Sequence, residues 1–229
     1  MLVRKLLNII YRLCEAEADG NIRDIRPRWY SKQKCLKSFL DAVEFAGNEV
    51  SQVIFLHDGD GQILLNEIPD KYEIRKTFVK SNLGSLNETF DIADEIGGSI
   101  YFVEDDYLHK PESILEIAKA LPELKLVTGY DHSEKHTRRY HNEYSFDTIK
   151  RTSGIWETAE FACCTYAVDE SIYKTIAPTI RKIGLWDIKL FETLARMGYS
   201  LWTPNPGLTT QVDSYMSPGV DWEEFNKNV

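Results

Sequence analysis

The feature that most limits what this chain can fold into is the alternation of apolar β-type runs with helical-period segments through residues 1–130. Residues 6–13 are rich in strand formers, and the polar stretch 15–28 that follows reads as a loop. Ser31 is placed to cap a helix over 32–46, where Cys35, Leu36, Phe39, Leu40, Val43 and Phe45 recur mostly at helical spacing until Gly47-Asn48 stops it. Strands are expected at 50–56, 72–79, 99–103 and 124–130. Ser85, with Glu88 three residues on, is expected to cap a helix running to Ile96, and Pro111 to open another. Such alternation predicts an α/β domain with a mostly parallel, doubly wound sheet flanked by helices, whose ligand edge is the carboxyl end.

Beyond Tyr130 the pattern changes. Residues 131–144 are polar and rich in His and Arg, which suits a surface loop or lid; 161–168 read as a buried strand, 184–197 as a helix, and the tail from Pro204 as loop. With 229 residues, one domain is expected. Lys plus Arg number 27 against 36 Asp plus Glu, a net charge of −9 that disfavours nucleic acid and anionic membrane surfaces as partners. No apolar run is long enough to span a bilayer. Cys14, Cys35, Cys163 and Cys164 form no CxxC pair or disulfide framework, so a reducing cytoplasm is expected. The oligomeric state is not legible.

The chemistry concentrates in Tyr101-Phe-Val-Glu-Asp-Asp-Tyr107, an apolar strand that ends on three successive carboxylates. Adjacent carboxylates repel, which points either to a cation among them or to an acidic, solvated turn. Hard oxygen donors at a strand end suit Mg²⁺ or Mn²⁺, with substrate phosphates completing the coordination.

The order Asn82-x-Gly84, helix, glycine, apolar strand and Glu104-Asp105-Asp106 resembles the GT-A glycosyltransferases, whose Asp-x-Asp-type motif the last three residues would represent. The resemblance extends to small GT-A-like proteins of bacteria and their phages. It rests on Ile9-Ile-Tyr-Arg12, Arg26-Pro27, Cys35-Leu-Lys-Ser-Phe39, Phe102-Val-Glu-Asp-Asp-Tyr-Leu-His109, Asp187-x-Lys-x-Phe191 and Ser217-Pro-Gly-Val-Asp-Trp222. It implies a nucleotide-sugar-binding half over 1–130 and an acceptor-side half over 131–229. It also implies a metal held by Asp106 with support from Asp105. Such proteins often carry Thr-His near the C-terminus as a further ligand; here the chain reads Thr209-Thr210-Gln211-Val212-Asp213, leaving Gln211, Asp213 or water for that place.

A nucleotide diphosphate-sugar donor gives the remaining residues their expected parts. Asp58 either accepts from a uracil N–H or caps its turn, and Arg12 either forks onto phosphate or pairs with a local carboxylate. Asn82, Gly84 and Ser85 belong to the donor-binding turn by resemblance. Lys32, at a helix start, reads as solvated. Asp187, beside Trp186 at the start of a helix, is the candidate base that takes the proton of a hydroxyl acceptor, such as a saccharide, or else it complements the helix dipole; Glu157 and Glu160 stand in reserve. Arg138 and Arg139 either meet the diphosphate or a carboxylate on the sugar, in which case UDP-glucuronic acid is accepted at least as well as UDP-glucose, or belong to a solvated basic loop that balances nearby Asp and Glu. The expected function is metal-dependent glycosyl transfer. A metal-dependent phosphohydrolase and a non-catalytic nucleotide-sugar-binding module are the alternatives.

Overall fold

The computed structural model describes residues 6–16, 26–137, 147–152 and 154–229. Strand β1 (Leu7–Leu13), helix α1 (Lys32–Ala46), strands β2 (Val50–Asp58) and β3 (Glu73–Thr77), helix α2 (Asn82–Ile96) and strand β4 (Ser99–Glu104) follow the expected alternation. After the acidic turn come β5 (Tyr107–His109), α3 (Ser113–Leu124), β6 (Leu126–Val127) and α4 (Glu134–Thr137). The last stretch holds the hairpin β7 (Thr148–Arg151) and β8 (Gly154–Ala159), then β9 (Tyr166–Val168), α5 (Glu170–Ile183), α6 (Asp187–Arg196), β10 (Leu201–Asn205), β11 (Thr209–Gln211) and α7 (Trp222–Lys227).

Nine of these strands form one sheet in the order β3-β2-β1-β4-β9-β6-β10-β8-β7, and β11 pairs with β5 in a second, two-stranded sheet. Strands β3, β2, β1 and β4 are parallel neighbours; in the other half β9 and β8 run against the rest, so the sheet is mixed there. The alternation of side chains along β1 sends Ile9, Tyr11 and Leu13 to the face covered by α1 and α3, and Ile10 to the face covered by α2, α5 and α6. Two apolar layers thus sandwich one sheet. A third small cluster, Cys35, Leu108, Val212 and Trp222, seats the C-terminal tail against α1.

The structure corrects several expected elements. Helix α2 begins four residues early because Ser81, with extended backbone, accepts from the Gly84 N–H at 3.0 Å and so serves as the cap assigned to Ser85. Ser81→Ala should lower stability by about 1 kcal/mol, read in thermal unfolding as a fall of roughly 2–4 °C for a chain of this size. The tail is not loop. Pro204 is accommodated in β10 because β6 pairs with that strand only at Trp202, so beyond it one flank has no ladder to fill. Within 161–168 only β9 is strand, since Cys163 and Cys164 turn the chain at φ 42 and 62.

Candidate active site

Strands β2 and β3 lie to one side of β1 and β4 to the other, so the strand order reverses between β1 and β4. Open α/β sheets bind ligands in the crevice outside the carboxyl ends at such a point. Arg12 and Glu104 face each other there in register. The Arg12 guanidinium donates to Glu104 Oε1 from Nε at 3.0 Å and Nη2 at 2.6 Å, and from Nη1 to Asn82 O at 2.7 Å, Asn82 Oδ1 at 2.5 Å and Ser85 Oγ at 2.8 Å. One side chain therefore ties β1 and β4 to the first turn of α2. Burial pushes the Glu104 carboxyl up, to about 7, against the opposing pull of Arg12.

The next two carboxylates are also matched by cations. Asp105 Oδ2 accepts from the Cys14 N–H at 2.8 Å and from Lys32 Nζ at 2.9 Å, while burial raises its pKa. Asp106 Oδ2 accepts from Arg26 Nη2 at 2.8 Å and Gln211 Nε2 at 3.0 Å, and the Arg26 guanidinium lies 4.3 Å from the centre of the Tyr30 ring. The triplet is thus neither solvated nor uncompensated. Lys32 departs from its expected solvation: its ammonium also donates to Cys14 O and Ala16 O, fixing the turn after β1.

Strand β11 delivers the tail to the same place, with the Val212 N–H on Asp106 O at 3.0 Å and the Tyr215 N–H on Asp213 Oδ1 at 2.6 Å. Burial, helped by the charge of Asp106, pushes the Asp213 carboxyl up to about 6. Asp187 occupies the first position of α6, where its Oδ2 accepts from the N–H groups of Ala162 at 2.8 Å and Cys163 at 2.9 Å. Burial outweighs those bonds and pushes it up to about 6. Burial also raises the Cys163 thiol and the Tyr130 phenol, and Asp106, Asp187 and Asp213 each raise both further. The charges of all three carboxylates are therefore felt by the same two side chains. Among the described residues, no group of three or more His, Cys, Asp or Glu side chains is arranged to hold a metal ion.

Asp58 is buried, and its Oδ1 accepts from the Lys80 N–H at 3.0 Å, which holds the loop after β3. Gly84 sits under the Ser81 cap, where a Cβ would lie 2.5 Å from Ser81 Oγ. Arg138 and Arg139 lie outside the described residues. The described start of their segment is anchored rather than the open surface loop expected: Lys135 is buried, and its Nζ donates to Asp131 Oδ1 at 3.2 Å and Glu157 Oε2 at 2.5 Å. His136 Nε2 lies 2.9 Å from Asp131 Oδ2, and His132 stacks between Phe161 and Tyr215. Glu157 is thereby committed to Lys135, which with Lys32 and Arg26 is among the site residues that sequence reasoning missed.

No family model matches the sequence, and neither does any curated protein. Solved structures do match in fold. A 4-diphosphocytidyl-2C-methyl-D-erythritol synthase from Anaerococcus prevotii aligns with 98% of this chain and 96% of its own, at TM-score 0.55 and 14% identity. A CMP:2-keto-3-deoxy-manno-octonic acid synthetase complexed with CTP aligns over 97% and 98%, at TM-score 0.52 and 11% identity. A mycobacterial protein aligns over 87% of this chain and 65% of its own, at TM-score 0.51 and 13% identity. The chain is a single α/β domain with the GT-A-like, Rossmann-type sheet architecture that these structures share. No helix among the described residues is long and apolar enough to cross a membrane.

Proposed function

We propose that the chain transfers a glycosyl group from a nucleotide diphosphate-sugar, a UDP-sugar, to a hydroxyl acceptor at the edge where β1 and β4 end. The observation that carries this reading is the acidic turn at the switch point, where Asp106 O accepts from the Val212 N–H beside Asp213, together with Asp187, a separately anchored carboxylate on another element. The first two supply hard oxygens at the switch point. The third has the character of a base. A carboxyl pushed up to about 6 stays ionised at neutral pH yet accepts a proton more readily than an ordinary Asp.

The donor set fits Mg²⁺ or Mn²⁺, because such ions take one or two carboxylates and leave the rest to phosphate and water. Asp106 and Asp213 would hold it, and Asp106 already destabilises the ionised form of Asp213. Bound there, the ion would neutralise charge on the leaving diphosphate. The chain's own groups do the rest: Arg12 and Lys32 hold the ends of β1 and β4, and Asp187 takes the proton of the acceptor hydroxyl.

Nucleotidyl transfer, the chemistry in the names of two structural neighbours, is the other reading. A triphosphate calls for a glycine-rich first βα turn aimed by a helix N-terminus. In this sequence residues 14–28, which follow β1, hold Gly20 alone and no glycine-rich run.

Thermal unfolding with nucleotide panels tests the proposal. UDP with Mn²⁺ should raise Tm, at a hundredfold excess over Kd by the equivalent of about 2.7 kcal/mol, and UDP alone should do much less. Asp106→Ala should abolish the Mn²⁺-dependent part of the shift while keeping the fold. Stabilisation by CTP rather than by UDP or UDP-sugars would overturn it in favour of nucleotidyl transfer.

A further inference from the structure

Large apolar side chains left in water gather on the loops of the ligand edge. Ile63 follows β2, Phe78 and Val79 follow β3, Leu83 opens α2, Trp186 precedes α6, and Tyr215 follows β11. Trp186 is 67% exposed, Phe78 58% and Leu83 50%, values that a chain with two filled apolar layers does not need for packing. Leu83 approaches Gly184, where a Cβ would meet its Cδ1 at 3.3 Å, so the start of α2 and the linker before α6 form one rim. The rim borders the proposed chemistry on both sides, since Leu83 follows Asn82 and Trp186 precedes Asp187.

Two ammonium groups stand on this rim although the chain carries −9. Lys189 Nζ lies 4.9 Å from the centre of the Trp186 ring. Lys80, at φ 48 with its N–H held by Asp58, has a side chain 68% exposed whose ammonium makes a long, solvent-exposed ion pair with Asp60 at 3.9 Å. An apolar surface with ammonium groups at its border matches an anionic amphiphile.

We infer that the hydroxyl acceptor is an anionic amphiphile, whose apolar portion lies on Phe78, Val79, Leu83 and Trp186 and whose acidic group meets Lys80 and Lys189. The inference rests on the glycosyl-transfer reading for the word acceptor, but the docking surface stands on the exposed rim alone. Seating the apolar portion beside Trp186 brings the hydroxyl of the head next to Asp187, so affinity and proton abstraction are supplied by neighbouring residues.

The test is calorimetric titration with octyl β-D-glucuronide below its micelle concentration, with octyl β-D-glucoside and free glucuronic acid as comparators. Saturable one-to-one binding of the octyl glucuronide is expected, several-fold tighter than that of the octyl glucoside, with no measurable binding of the free acid. Trp186→Ala and Leu83→Ser should each weaken it by about tenfold or more, as loss of a buried anchor does. Both variants should keep the wild-type Tm and the Mn²⁺-dependent response to UDP. Equal binding of the free acid, an unchanged affinity in both variants, or a patch that instead drives self-association in sedimentation overturns the inference. Octyl glucuronide binding without any UDP response overturns the glycosyl-transfer reading and leaves the surface standing.

Discussion

Replacing Arg12 by Met is expected to lower the unfolding free energy by about 3 kcal/mol or more, because it leaves the buried Glu104 carboxyl without its partner, so that above its unfolded pKa the folded state must either hold a buried charge or take up a proton. For a chain of this length that is a fall in Tm of roughly 6–12 °C. The loss exceeds that of a surface ion pair because the Arg12 and Glu104 side chains are only 10% and 18% exposed, and because Asn82 and Ser85 lose their donor together with Glu104. The pH dependence gives the mechanism. Glu104 in the folded protein already lies above its ordinary value, at about 7, through burial. Removing Arg12 takes away the pull in the other direction, so the folded state holds the proton more tightly still while the unfolded value stays where it was. A group whose folded pKa is raised destabilises as pH climbs from the unfolded value through the folded one. The penalty of the variant should therefore be larger at pH 8 than at pH 5. A variant with the same deficit at both, or Arg12→Met Glu104→Gln no more stable at pH 8 than Arg12→Met, would show that the pair is not what Arg12 supports.

The reason Arg12 carries this burden was partly legible in the sequence. The apolar runs 6–13 and 99–103 identify β1 and β4, and strand–helix alternation identifies the parallel half of the sheet, because periodicity is a local property. The partners of the acidic turn are not local. Arg12 and Glu104 are 92 residues apart, Arg26 and Asp106 80, and Lys32 and Asp105 73, so repulsion among adjacent carboxylates was visible while the cations that answer it were not. The second half of the chain was less legible for a different reason. β6 and β9 lie inside the strands expected over 124–130 and 161–168 but keep only two and three residues, because an apolar run marks burial rather than strand ends, and Pro204 inside β10 carries the signature of a loop. The hairpin of β7 and β8 lies beyond a polar segment with no apolar period. In the site, the position of Asp187 at a helix start was readable, whereas its anchor was not: the N–H groups it holds belong to a turn made by Cys163 and Cys164, which the apolar run 161–168 disguised as strand.

That anchor makes Asp187 the residue whose removal should cost the most in turnover. Asp187→Asn preserves size and one acceptor oxygen for the Ala162 and Cys163 N–H groups, so the turn remains in place. It removes the ability to take a proton. Loss of a positioned general base lowers the rate by about 10²–10⁴-fold, and with donor binding unaffected the loss should fall on kcat rather than on the Kd for UDP. The wild-type profile should carry the same signature, since burial places the Asp187 carboxyl at about 6. A base works only when deprotonated, so transfer should be near its plateau at pH 8 and fall as the pH drops through about 6, and in the variant that acidic limb should shrink to the part that Asp213, also pushed up to about 6, contributes. Initial rates with UDP-glucose or UDP-glucuronic acid and an octyl glycoside acceptor, measured from pH 5 to 8, separate this from a purely structural role. A residue that only pins the Cys163 turn would lose Tm on replacement and leave the shape of the profile unchanged. Wild-type turnover in Asp187→Asn, or the same acidic limb in both proteins, removes Asp187 from the chemistry.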